Sequence, residues 1–436
     1  MFFKYALFLI FLFLLGCSKE NSTDLSNSVD IFQPKNTISY VNKKERKDSQ
    51  LGELSNLKEI LNSKSYKLNN SKINYPFKKK WHIDTEQIIN DQNPYLPEPL
   101  FFASNVYLLN NNGYLFKINS DDGKIIWKKQ VFNNLEDTII GTPAISGTKN
   151  KKNTLTLFAH NGAGDLLAID GNDGNIIWKK KNDLPFRGGI TSFKNYLFVS
   201  DYEGNFLSIN NKNGNVLWNV FLGSEYNSIY TTARPLVAKN KVVVPATGGT
   251  FFVISINSGE VLWSENISSN QQLPMLFHTG DIVANPLYYQ GKIYVVSQSG
   301  FTAAFDLETS KKLWNIPVGG FATPTISGKT IFVIGNMGFL AAIDTDTGKL
   351  RWQKQYPSYL NENSFFSDKV ISVYKGPTLL NSKVLIANQK GIISVVDANI
   401  GIEVDSLDIE ELAIPPIPVD GNLFFLTANG KLLAYK

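Results

Sequence analysis

The sequence predicts an all-β chain, an eight-bladed β-propeller of four-stranded blades, with its ring closed by an N-terminal strand that joins the C-terminal blade. Three observations carry this. One phrase recurs down the chain, clearest as AAIDTDTGKLRW from Ala341 to Trp352, with copies ending at Trp127, Trp178, Trp218, Trp263 and Trp314. The copies follow one another at roughly 38 to 51 residues, the spacing of a repeat architecture. Finally, the ends complement each other. The C-terminal PPIPVDGNLFFLTANGKLLAYK stops one strand short of a blade, while KKKWHID carries Trp81 ahead of the first full repeat.

Each element of the phrase has a physical reason. Asp or Asn followed by Gly between two apolar runs is hairpin chemistry, because Asx side chains bond back to the backbone and Gly accepts a positive φ. Five of the six Trp residues lie four positions after a Gly, and Ser310 takes the Gly place before Trp314. The Trp is a large apolar side chain suited to packing on the neighbouring repeat. Two further runs precede each phrase, as in KVVVPATGGTFFVISI, and a short segment around Pro143, Pro235, Pro286 or Pro324 comes before those. That makes four strands per repeat, the content of a propeller blade. A seventh repeat keeps Gly401 but places Asp405 where Trp is expected. Ring closure is expected to remove the free sheet edge that would template aggregation.

In chain order, residues 1–16 read as a signal segment, 17–74 as a tether and 75–436 as the propeller. The opening MFFKYALFLIFLFLLGC is too short for a typical membrane span and ends at Cys17, the only Cys of the chain. The tether is rich in Asn, Ser, Lys and Asp and cannot build a core. Within it Leu54, Leu57 and Leu61 fall at helical spacing, which reads as a transient linker helix. As a coil of ~55 residues the tether reaches about 40 Å.

The chemistry-bearing residues are sparse. His82, His160 and His278 have no second His or Cys at metal-ligand spacing. Asp344, Asp346, Asp170 and Asp173 lie where hairpin turns must be and lack the closing Glu of an EF-hand, so they read as turn residues rather than calcium ligands. A net charge of +5 is small for 436 residues and, with no dense basic cluster, gives no argument for nucleic acid. No metal or cofactor is expected. The repeat is stretched after Trp263 and Trp352, in connections that run from the outer strand of one blade to the inner strand of the next. All such connections share one face of a propeller, and long loops on a rigid scaffold are where binding concentrates. Met275, Phe277, Tyr356, Tyr359, Phe365 and Phe366 lie there, either as loop packing or as a partner surface.

Ala342 to Trp352 matches A-x-D-x-x-T-G-K-x-x-W, the quinoprotein-type propeller repeat. With its leader, tether and single propeller, the chain resembles the BamB lipoproteins of the bacterial outer-membrane β-barrel assembly machinery. Leu14-Leu15-Gly16-Cys17 resembles a lipobox, which implies lipidation of Cys17, and Ser18 after it implies sorting to the outer membrane, periplasmic side. DLPFRGGI resembles the family segment Leu-x-Leu-Arg-Gly, which contacts a POTRA domain of BamA. Leu184 and Arg187 match, and Phe186 stands for the second Leu. HTGDIVANP resembles Asp-Val-Asp-Thr-Thr-Pro of the same interface, with Asp281 matching the first Asp and Val283 replacing the second. The resemblance implies a non-enzymatic scaffold, a monomer within a hetero-complex, that binds BamA and assists unfolded outer-membrane proteins. The quinoprotein dehydrogenases share the repeat, and imply an enzyme using pyrroloquinoline quinone with calcium. A third reading is a surface lipoprotein that binds a cell-wall or sugar partner.

Overall fold

The computed structural model describes residues 76–86, 97–133, 143–149, 154–223, 233–267, 281–359 and 371–436. The leader, Cys17 and the Leu51–Ser65 helix lie outside the described residues. Within them the chain forms eight four-stranded antiparallel sheets. Blade 1 runs from β2 (Leu100–Phe102) to β5 (Ile125–Gln130), blade 2 from β6 (Ala144–Lys149) to β9 (Ile176–Lys181), and blade 3 from β10 (Phe186–Phe193) through β12 (Asn205–Asn210) to β13 (Val216–Phe221). Blade 4 runs from β14 (Leu236–Ala238) to β17 (Val261–Asn266), and blade 5 from β18 (Leu287–Tyr289) to β21 (Lys312–Ile316). Blade 6 spans β22 (Thr325–Ser327) to β25 (Leu350–Gln355), and blade 7 spans β26 (Tyr374–Leu380) to β29 (Glu403–Asp408). Blade 8 takes β30 (Ile417–Val419), β31 (Asn422–Leu426) and β32 (Lys431–Tyr435) from the C-terminus and β1 (Lys79–Asp84) from the N-terminus. The expected closure is therefore present. Trp81 faces Ala434 in register, and Lys78 and Lys436 exchange both backbone hydrogen bonds at 2.9 Å.

The middle strands are buried on both faces because each sheet is covered by two neighbours. This is why Val242–Val244 and Ile331–Ile334 are unbroken apolar runs rather than alternating ones. The core accordingly lies between blades. Tyr107, Leu109 and Leu115 of blade 1 pack with Ile145, Leu157 and Leu167 of blade 2.

The recurring Trp and Gly meet across this interface. Trp352 lies on Gly401 of the next blade, where a Cβ would stand 2.7 Å from the indole, and Trp314 lies on Gly348 in the same way at 2.8 Å. Gly401 (φ 74) and Gly348 (φ 70) are thus required both by conformation and by close approach. The indole N–H of Trp352 donates to Ala398 O at 2.9 Å, and those of Trp81, Trp127, Trp178, Trp218 and Trp314 make the equivalent bond at 2.8 to 3.2 Å. Asp405 now has a reason. It pairs with Val395 as Trp352 pairs with Ala342. The blade it faces is the closing one, whose third and fourth strands come from opposite chain ends, so there is no glycine turn for a Trp to lie on.

Ser310 is the informative exception. It sits at φ 60 in the glycine place, and Trp263, which should dock there, has a buried Nε1 with no hydrogen-bond partner. A left-handed non-glycine residue costs roughly 1–2 kcal/mol, and glycine gives back about 0.5–1 kcal/mol through the unfolded chain. Ser310→Gly is therefore expected to raise stability by about 1 kcal/mol, read as a higher denaturant midpoint with a shift in Trp fluorescence. An unchanged or lower midpoint would contradict this account of the repeat.

Candidate functional site

The connections between blades and the turns between second and third strands lie on one face of the ring. Around blade 3 they build a defined surface. Asn182 N–H donates to Gly164 O at 2.8 Å, and the Asn182 side-chain amide donates to Leu184 O at 2.9 Å. Tyr202 N–H donates to Pro185 O at 2.9 Å. Leu184 and Pro185 are thereby held between the turns of blades 2 and 3. Gly164 is needed for this closeness, since a Cβ there would lie 2.6 Å from Asn182 O.

The four candidate contact residues separate at this point. Leu184 is half-buried within the connection. Phe186 is not part of a loop: it opens β10, is 2% exposed and packs with Phe158, Ile190 and Leu197. Arg187 and Asp281 are each 4% exposed. The Asp281 carboxylate accepts from Gly248 N–H at 2.9 Å, and its carbonyl accepts from Gln298 N–H at 2.9 Å. It therefore ties the turns of blades 4 and 5 together. Arg187 lies over the Tyr202 ring at 5.9 Å. Burial lowers its pKa, and the charges of Asp281 and Tyr202 oppose that shift. The structure thus links Arg187 and Asp281 by charge and withdraws both, with Phe186, from the surface. Val283 is half-buried beside Asp281.

Sequence reasoning missed what lies under and beside this surface. His160 is fully buried, 5.2 Å from the Phe186 ring. Gly162 N–H donates to its Nδ1 at 3.3 Å, so Nε2 carries the proton and donates to Gly188 O at 3.1 Å. Burial, aided by the charge of Arg234, pushes its pKa down to about 3, which makes it a neutral structural histidine. Arg234, packed on Gly189, reaches Glu98 at 3.7 Å. That ion pair joins the entry of blade 4 to the entry of blade 1. Arg234 N–H donates to Asn285 Oδ1 at 2.7 Å, and Asn285 N–H donates to Thr323 Oγ at 3.0 Å. Tyr202 and Phe221 are exposed on blade 3, Phe221 at 67%. A lone Tyr in a turn and the last residue of an outer strand carried no signal in the sequence.

Of the aromatic residues in the long connections, Tyr356 is packing. It is 8% exposed, and its hydroxyl donates to Glu403 at 3.2 Å. Tyr359 is half-buried and bridges to Ile371. Met275, Phe277, Phe365 and Phe366 lie outside the described residues. Among the described residues no three His, Cys, Asp or Glu groups converge as metal ligands. Among the described residues two blade-entry acids have partners already, Glu98 in Arg234 and Asp281 in an amide and the charge of Arg187. This donor set does not fit a calcium-held quinone cofactor.

Comparison with known proteins places the chain. The family model described as outer membrane protein assembly factor BamB matches residues 111–354 and 317–436. An uncharacterized protein of Rickettsia prowazekii is 23% identical over 75% of this chain and 72% of its own length. The Escherichia coli outer membrane protein assembly factor BamB is 20% identical over 74% of this chain and 80% of its own length. Several other curated BamB proteins align over about half of their length or less. Among solved structures, BamB from Moraxella catarrhalis superposes with a TM-score of 0.67 at 15% identity, covering 83% of this chain and 99% of that one. A quinohemoprotein alcohol dehydrogenase from Comamonas testosteroni superposes with a TM-score of 0.59 at 11% identity, covering 82% of this chain and 76% of that one. At these identities the superpositions speak to the fold, which an enzyme and an assembly factor share.

Proposed function

The chain belongs to the BamB family of outer membrane protein assembly factors, and on that ground we propose that it is a non-enzymatic scaffold of the β-barrel assembly machinery. It is held at the periplasmic face of the outer membrane by a lipid on Cys17 and binds the POTRA domains of BamA. Unfolded outer-membrane proteins are the clients of that machinery, whose folding and insertion it assists. The observation that carries the reading is the Leu184–Pro185 connection, an apolar tip fixed by backbone hydrogen bonds on both sides. Leu184 is the contact. Phe186 and Arg187, buried directly after the tip in the chain, are positioning residues, and Asp281 acts on the charge of Arg187. A rigid apolar tip loses little entropy on docking, which is what a binding anchor requires.

Leu184→Asp places a charge on the tip without entering the core. It is expected to weaken binding to the POTRA region of BamA from the same organism by at least tenfold, while circular dichroism stays unchanged. Arg187→Glu is the wrong probe, because it puts a second carboxylate beside buried Asp281 and disturbs the fold. Binding unaffected by Leu184→Asp would remove this face from the interface, and no binding by the parent chain would remove the partner. The donor set around Glu98 and Asp281 gives the dehydrogenase reading no support.

A further inference from the structure

Ring closure does not remove the outer edges. The last strand of every blade is terminal in its sheet, so the ring presents eight edges rather than none. Natural edges are guarded by charge, above all by lysine. Seven outer strands follow that rule: KKWHID, IIWKKQ, IIWKKK, VLWSEN, KLWNI, LRWQKQ and EVDSLD each carry at least one charged residue. The eighth, β13, reads VLWNVF and carries none. Val216 is 54% exposed, Leu217 46% and Phe221 67%, the last being the most exposed large apolar side chain among the described residues. Among those residues β13 pairs only with β12.

We propose that the free edge of β13 is a docking strand for an extended, uncharged segment of another protein with alternating apolar residues. Trp218 and Val220 turn inward onto the core between blades 3 and 4, while Leu217, Asn219 and Phe221 face out. The exposed row is thus mostly apolar, and a strand that alternates apolar and polar residues extends it with its apolar face, covering Leu217 and Phe221, while its backbone fills the open hydrogen-bonding groups. The edge is continuous with the surface described above. Leu222 N–H donates to Gly204 O at 2.9 Å, and Tyr202 of the same turn donates to Pro185 O at 2.9 Å. The register shift between Ser208 and Ile209 makes the start of β13 bulged and twisted. A flexible strand can follow that twist, whereas the edges of two rigid rings cannot lie flat on each other. In its choice of occupant, a strand of the kind that forms membrane barrels, the proposal rests on the assembly reading. The unguarded edge does not.

The test uses the non-lipidated full chain and a fluorescent, end-capped synthetic peptide that alternates valine or tyrosine with threonine and has no charged residue. Anisotropy is expected to show saturable binding, and hydrogen exchange is expected to show new protection of the β13 amides. Asn219→Lys, at an exposed position in mid-edge, is expected to weaken peptide binding at least tenfold while leaving affinity for the BamA POTRA region unchanged. Leu217→Lys is expected to do the same. Equal binding by the lysine variants, or no binding by the parent chain, overturns the proposal. So does sedimentation showing that the parent is a dimer that the lysine dissociates without peptide binding. The POTRA measurement on the same samples separates these failures from failure of the scaffold reading.

Discussion

Trp352→Ala is expected to destabilise the ring by about 3–5 kcal/mol, the range for removing a large buried aromatic side chain. Trp352 is 6% exposed and lies 5.9 Å from the Phe332 ring. It stacks on Gly401 and satisfies Ala398 O. Its loss leaves a cavity between blades 6 and 7 and an unpaired carbonyl at its floor. Asp405→Ala, at the corresponding position of blade 7, is expected to change stability by less than about 0.5 kcal/mol, as exposed substitutions usually do. Urea denaturation of the two variants beside the parent reads both. A small effect at Trp352, or a large one at Asp405, would contradict the view that the phrase works by docking each indole on the next blade's glycine.

Arg187→Met is expected to cost about 1–3 kcal/mol, because it removes a buried guanidinium whose charge acts on the buried Asp281 carboxylate. Asp281→Asn is expected to be costly as well, since it removes a charge that offsets the burial of the guanidinium. The double variant is expected to be less destabilised than the two losses added together, with a coupling of about 1–3 kcal/mol. Midpoints of the four chains form the thermodynamic cycle. Additive losses would show that the two charges do not act on one another and that each is held by its own local contacts.

Much of the fold was legible because the repeat writes its own interface. Blade count followed from the Trp phrase, and closure followed from Trp81, which had no repeat of its own and is found pairing beside Ala434. What could not be read was which side of the backbone a residue faces where a strand begins. Leu184, Phe186 and Arg187 look alike as a loop anchor in DLPFRGGI, yet the strand starts at Phe186 and turns it, with Arg187, inward. A Pro at 185 followed by two glycines at 188 and 189 reads as a loop, and the bulge between Arg187 and Thr191 is what makes those glycines compatible with β10. Charge linkage between blades is equally silent in sequence. Asp281 and Arg187 are far apart along the chain, and only the ring brings Glu98 to Arg234. Ring closure joins the chain ends but leaves the blade edges as they are, since each blade still ends in a strand paired on one side only.

The central claim is that the face around Leu184 meets the POTRA domains of BamA. Hydrogen exchange of the full chain, alone and with the POTRA region of BamA from the same organism, tests it most directly. The account predicts slowed exchange in residues 182–185 and 201–204, with little change in the turns on the opposite face around Gly174 and Gly348. Protection confined to that opposite face, or none at saturating partner, would contradict it.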